Sequence, residues 1–172
     1  PHGRGGLGKV HGFTIHVCQL RPESRGTVRL ASHDPAAPPR IDPNYLGAPE
    51  DLEVLLAGLE MTRALGRQPA FARLGAKEQW PGANVQGRNQ LVERIREWAE
   101  TIYHPVGTCH MGRGDDAVVG TDLRVRGLDG LRVVDASVMP TLISGNTNAP
   151  TIMIAEKISD TILAERHGAL AA

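Results

Sequence analysis

Five prolines between residues 33 and 49, at positions 35, 38, 39, 43 and 49, restrict this chain more than any other local feature. Each proline fixes its own φ, removes a backbone donor and pushes its predecessor toward extended geometry. The segment is expected as ordered extended loop, neither helix nor central strand. Before it, Phe13-Thr14-Ile15-His16-Val17-Cys18 alternates apolar and polar side chains, the period-2 pattern of a half-buried strand. Arg21-Pro22-Glu23-Ser24-Arg25-Gly26 breaks that pattern as a turn, and Thr27-Val28-Arg29-Leu30 resumes it. These two runs are expected to pair antiparallel.

Past the prolines the period changes. From Pro49, with Glu50 and Asp51 at the positive end, Leu52, Leu55, Leu56 and Leu59 form one helical stripe. Residues 66–88 read as irregular, with a turn at Trp80-Pro81-Gly82. A second helix is expected from about Asn89, with Leu91, Val92, Ile95, Trp98, Ala99 and Ile102 on one face. It should stop just before His104-Pro105, because the residue preceding a proline disfavours the α region. Residues 107–120 are glycine-rich loop, Asp122 to Val125 a short strand, and Gly130 to Asp135 a strand ending in an acidic residue. A last helix should begin near Asn148 and end at Gly168, with Ile154, Ile158 and Ile162 on its inner stripe.

Lys plus Arg and Asp plus Glu number 19 each, which removes any electrostatic case for nucleic acid or an anionic membrane. Apolar residues at 41% and charged residues at 22% read as soluble and globular. No apolar run has the length of a spanning helix, so a cytoplasmic setting is expected, with peripheral attachment to the inner membrane as the alternative. Cys18 and Cys109 read as free thiols, and Cys109 with His110 lacks the further ligands that a zinc site requires, so no metal is expected. Gly3-Arg4-Gly5-Gly6-Leu7-Gly8 matches the letters of a dinucleotide loop. No strand precedes it and a β-pattern follows, so it reads as a flexible glycine loop.

Two stretches carry chemistry. Tyr103-His104-Pro105-Val106-Gly107-Thr108-Cys109-His110-Met111-Gly112 places a histidine in a glycine-bearing loop, and Gly145-Asn146-Thr147-Asn148-Ala149-Pro150 opens the last helix. On spacing alone, His104 reads rather as a helix-end histidine bonding a carbonyl, and Asn146 has the alternative reading of a turn asparagine. With the blocks Gly130 to Pro140 and Asn146 to Asp160, and the tract from Arg21 through Leu46, the chain resembles the C-terminal region of glucose–methanol–choline (GMC) oxidoreductases. The branch it resembles most holds choline dehydrogenases and bacterial alcohol dehydrogenases.

The resemblance implies an FAD-dependent enzyme that oxidises a primary alcohol to an aldehyde by hydride transfer to flavin N5. It implies His104 as the active-site histidine, taking the hydroxyl proton or steadying the alkoxide, and Asn146 as the orienting partner. Asp135 with Ala136 would lie near the ribityl and pyrophosphate region of FAD. Asn148, Ala149 and Thr151 would present backbone and dipole to the flavin's N1–C2=O edge, with Asn148 as cap. Partners are then a small-molecule alcohol and an N-terminal FAD-binding domain missing from this chain, and the start at Pro1 fits a fragment. The expected fold is α+β: an antiparallel sheet with helices packed on one side, plus a C-terminal strand and helix returning to the FAD-binding domain. Residues 1–112 would form the substrate-binding domain and 113–172 the return segment. Two other readings stand beside this one. One is an inactive substrate-domain remnant or split-gene product unable to bind FAD alone; the other is a docking module using the proline-rich segment. Aromatics at 3% give little material for an ammonium cage, so choline is not favoured over ordinary alcohols.

Overall fold

The computed structural model describes residues 11–170, with side chains as far as Gly168. The glycine loop at positions 3–8 lies outside these residues. The chain forms two compact units that interleave in sequence.

The first unit comprises the stretch to Gln19, Glu23–Arg25 and Asn44–Glu100. Its frame is α1 (Pro49–Gly66), the short α2 (Pro69–Ala72) and α3 (Arg88–Trp98). Proline at the start of α1 sacrifices no hydrogen bond, because that N–H would lack an intrahelical partner anyway. The leucine stripe works as expected: Leu52, Leu56 and Leu59 pack with Leu91 and Ile95 of α3 and with Val85. Arg63, near the end of α1, fastens the loop between the helices. Its guanidinium donates to the carbonyls of Gly82 (3.1 Å) and Val85 (2.8 Å) and pairs with Glu78 (2.7 Å).

Asp51 does more than face the helix dipole. It is 3% exposed and accepts the backbone N–H groups of Glu23 and Ser24, each at 2.9 Å, the Ser24 hydroxyl and the Gln19 amide at 3.3 Å. Burial alone would raise its pKa. The Ser24 hydroxyl, the two N–H groups and the Gln19 amide outweigh that and hold it below the ordinary 3.8.

Residues 13–18 keep the alternation expected of them, with Ile15 and Val17 half-buried between exposed neighbours, but form no strand. Val17 seats on α1 at Gly58, where a Cβ would stand 2.3 Å from its Cγ1. The period-2 pattern here marks an extended segment lying on a helix rather than a strand beside another strand.

The second unit comprises Leu20–Pro22, Gly26–Pro43 and the chain from Thr101 onward. Its ribbon pairs β1 (Thr27–Arg29) antiparallel with β2 (Arg40–Asp42), in the register Thr27 to Asp42, Val28 to Ile41 and Arg29 to Arg40. The partner of β1 is thus three residues inside the proline-rich segment, between Pro39 and Pro43. Both strands are edges of a two-stranded ribbon, so flanking prolines interrupt no central ladder. All six ribbon residues are exposed.

The core of this unit is Val119 and Val138, both 0% exposed, with Leu123 and Ile158. Met111, Val125, Val133, Val134, Ile154 and Ile162 pack around them. The strands expected at 122–125 and 130–135 appear only as single bridges, Val119 to Val125 and Arg124 to Arg132. Glycines at 120, 127 and 130 turn the chain too often for a ladder to extend, and isolated bonds such as Val133 N–H to Leu123 C=O (3.1 Å) take its place. The last helix, α4 (Asn148–Leu170), matches its expected stripe, with Ile158 buried and Ile154 and Ile162 against the core. Glu165 ties it to the preceding loops through Arg124 (2.9 Å) and Arg132 (2.8 Å). No helix among the described residues is long and apolar enough to cross a membrane.

Candidate active site

The His104 loop is held from both ends. Helix α3 stops at Trp98, earlier than the proline rule required, and Ala99 is already extended (ψ 130). Tyr103 then takes a left-handed conformation, φ 66, which costs a non-glycine residue about 1–2 kcal/mol. Its N–H donates to Thr101 Oγ1 at 2.9 Å. Past His104, Gly107 (φ 91) makes the turn that its missing side chain permits, with His110 N–H returning to its carbonyl at 3.2 Å. Cys109 and Met111 then bond to the carbonyls of Ser137 (3.1 Å) and Val138 (2.8 Å). The loop is thereby fixed to the one-turn 3-10 helix Ala136–Val138.

Asp135 sits at the start of that turn. Its Oδ1 accepts the N–H of Ser137 at 2.8 Å and the Ser137 hydroxyl, and the residue is exposed. Ala136 follows as the first residue of the turn.

The two stretches singled out in the sequence meet through a residue that the sequence reading passed over. His104 Nδ1 lies 3.0 Å from Thr147 Oγ1, and the Thr147 N–H points at the same nitrogen from 3.5 Å. Thr147 is 7% exposed, one of the few buried polar residues. His104 is half-buried, and its Nε2 has no hydrogen-bond partner among the described residues. Asn146, next to Thr147, is exposed, and its carboxamide bonds to nothing among the described residues. The only local signal for Thr147 was its place immediately before a helix start, where a hydroxyl ordinarily caps the helix. Here the hydroxyl turns to an imidazole 43 residues away instead.

Helix α4 begins at Asn148, as expected, but the cap position falls one residue earlier than expected. Thr147, not Asn148, is the boundary residue: its carbonyl accepts the Thr151 N–H (3.1 Å) and the Thr151 hydroxyl (2.6 Å). Both donors of Thr151 are therefore engaged. Asn148 and Ala149 are exposed, and their N–H groups have no partner among the described residues, while Pro150 has none to offer. A long helix thus presents two free donors at its positive end, close in sequence to Thr147 and the imidazole it holds. That chemistry fits the electron-rich edge of a flavin, an acceptor surface on which negative charge gathers.

The His110 ring reaches Asp116 at 3.4 Å, and no group of three or more His, Cys, Asp or Glu side chains converges among the described residues.

Residues 22–155 match the family model described as GMC oxidoreductase, for the C-terminal domain of that family. The chain is 49% identical to an alcohol dehydrogenase [acceptor] of Pseudomonas putida, over 94% of its own length and 29% of that protein's. It is also 49% identical to an oxygen-dependent choline dehydrogenase of Chromohalobacter salexigens, over 90% of this chain and 28% of that protein. Among solved structures, a pyridoxine 4-oxidase from Mesorbium loti superposes with a TM-score of 0.76 at 37% identity, covering 83% of this chain and 28% of that one. The chain thus spans under a third of the length of the curated relatives it matches.

Proposed function

The chain belongs to the GMC oxidoreductase family, and from that premise we propose that it forms the C-terminal part of an FAD-dependent enzyme oxidising a primary alcohol to an aldehyde. The observation that carries this reading is the contact between His104 Nδ1 and Thr147 Oγ1. It joins the histidine loop to the turn bearing Asn146 and to the start of α4. When bound, FAD supplies the hydride acceptor, at flavin N5. The protein's share is position and charge.

In this proposal His104 meets the substrate hydroxyl through Nε2, either taking its proton or steadying the alkoxide. Asn146, with a free carboxamide that both donates and accepts, orients the carbinol. The N–H groups of Asn148 and Ala149 would hold the flavin's N1–C2=O edge. Thr151 closes the first helical turn and so fixes their direction. Asp135 and Ala136 would lie along the ribityl and pyrophosphate region, with Asp135 Oδ2 left free by its capping role. A nucleotide-binding domain would complete the enzyme, with 1–112 as its substrate-facing part and 113–172 as the segment returning to that domain. Within the complete enzyme, the exposed ribbon β1–β2 would belong to a wider antiparallel sheet covered by helices on one side.

Relatives named for an alcohol and for choline match at the same identity, so this region is common ground between them. Co-expression of the chain with the FAD-binding region of a GMC relative tests the proposal. Alcohol-dependent reduction of an artificial electron acceptor is expected, and His104→Ala should lower turnover about 10²–10⁴-fold. Turnover unaffected by that substitution would refute the role of His104.

A further inference from the structure

We infer that Thr147 is the positioning residue of His104: its hydroxyl and its own N–H together take the Nδ1 lone pair, so the neutral ring is held in one orientation and carries its proton on Nε2. The inference rests on the reading of His104 as the group that faces substrate, and adds the residue that sets which ring atom it offers.

The argument begins with what each atom can do. An imidazole nitrogen donates or accepts according to tautomer, and a hydroxyl does either, so the 3.0 Å contact alone leaves the direction open. A backbone N–H can only donate. Its approach to the same nitrogen, a long contact at 3.5 Å, favours a lone pair there, because a proton on Nδ1 would face it hydrogen to hydrogen. With Nδ1 as acceptor, the hydroxyl turns its own hydrogen toward the ring, and the shorter contact becomes the principal bond.

Burial makes this bond matter. Thr147 is 7% exposed, so its hydroxyl has little access to water, and removing the ring or the hydroxyl would strand a polar atom. Thr147 is itself fixed, because its carbonyl begins α4 and receives two bonds from Thr151. The ring is therefore referred to a 23-residue helix rather than to its own loop. Nε2, without a partner among the described residues, is the atom left to a substrate oxygen. Carrying the proton, it donates there and steadies the alkoxide, and the alternative in which it takes the hydroxyl proton is set aside, that proton going to another acceptor of the complete enzyme.

The test reads the ring directly, with no need for cofactor. The 172-residue chain is labelled with 15N-histidine, and His104 is assigned by loss of its signals in His104→Gln. In its neutral form, the wild-type ring should show a protonated Nε2 and an unprotonated Nδ1 displaced upfield by hydrogen-bond acceptance. Thr147→Ser should preserve that displacement. Thr147→Val, close in shape, should lose it, and 13Cε1 relaxation should report a more mobile ring. A protonated Nδ1 in wild type overturns the inference whatever the variants do, as does a Thr147→Val ring indistinguishable from wild type. In the flavin-loaded assembly, Thr147→Val should lower kcat roughly 10- to 100-fold with KM little changed, and Thr147→Ser should restore it. Loss of turnover in His104→Ala with full kcat in Thr147→Val would remove Thr147 and leave the redox reading standing. Full turnover in His104→Ala would remove both.

Discussion

At the scale of single residues, the most consequential side chain outside the candidate site is Asp51. A carboxylate at 3% exposure is normally a liability, and here four donors from Gln19, Glu23 and Ser24 compensate its lost hydration. Its pKa is held below 3.8, so its contribution to stability is complete above the unfolded value and disappears as pH falls through the lower folded one. Asp51→Asn should therefore be less stable than wild type at pH 7, and the two should converge in strong acid. Urea denaturation at several pH values measures this, and a gap that does not change with pH would refute it. Asp51→Ala, which leaves the Glu23 and Ser24 N–H groups without their acceptor, should cost about 1–3 kcal/mol. His104 shows the limits of reading at this scale. Its loop was legible only because a whole block of residues resembled a family, while Thr147 was invisible: no local spacing announces a bond spanning 43 positions.

Elements were legible in proportion to how much of their environment their own sequence encodes. Helices α1, α3 and α4 declare a buried face through period alone, and the leucines and isoleucines counted on each stripe are those that pack, except Ile102, which falls past the end of α3 at Trp98 and is 49% exposed. An extended run declares a period but not a partner. Hence Ile15 and Val17 were rightly expected to be half-buried, yet the neighbour is α1 and the true partner of β1 lies between two prolines. The contact of Val17 with Gly58 yields a prediction of unusual sign. Gly→Ala inside a helix ordinarily stabilises by about 0.5–1 kcal/mol. Here the new methyl would stand 2.3 Å from a stiff β-branched side chain, so Gly58→Ala should destabilise. Adding Val17→Ala should recover part of the loss, because the obstructing methyls are gone. Chemical denaturation of the two single variants and the double variant measures this coupling, and additive effects would show that the contact is not made.

For the molecule as a whole, the division into two units, each with its own core, gives the chain two separate sources of stability. Neither core is large, and α4 leaves Ile152, Met153 and Leu163 each about half exposed. In the proposal this is the face that a nucleotide-binding domain would cover. The chain offers FAD little more than a helix start and a capped turn, so the purified 172-residue protein should not retain the cofactor through gel filtration. A stoichiometric yellow complex in the eluted peak would contradict that. One consequence follows from the way α4 begins. The carbonyl that starts this helix and the hydroxyl that meets the imidazole belong to the same threonine, so any axial slip of the helix would drag the ring along with it. A disturbance at the far end, such as breaking the grip of Glu165 on two arginines, has a rigid rod some twenty residues long through which to reach the histidine.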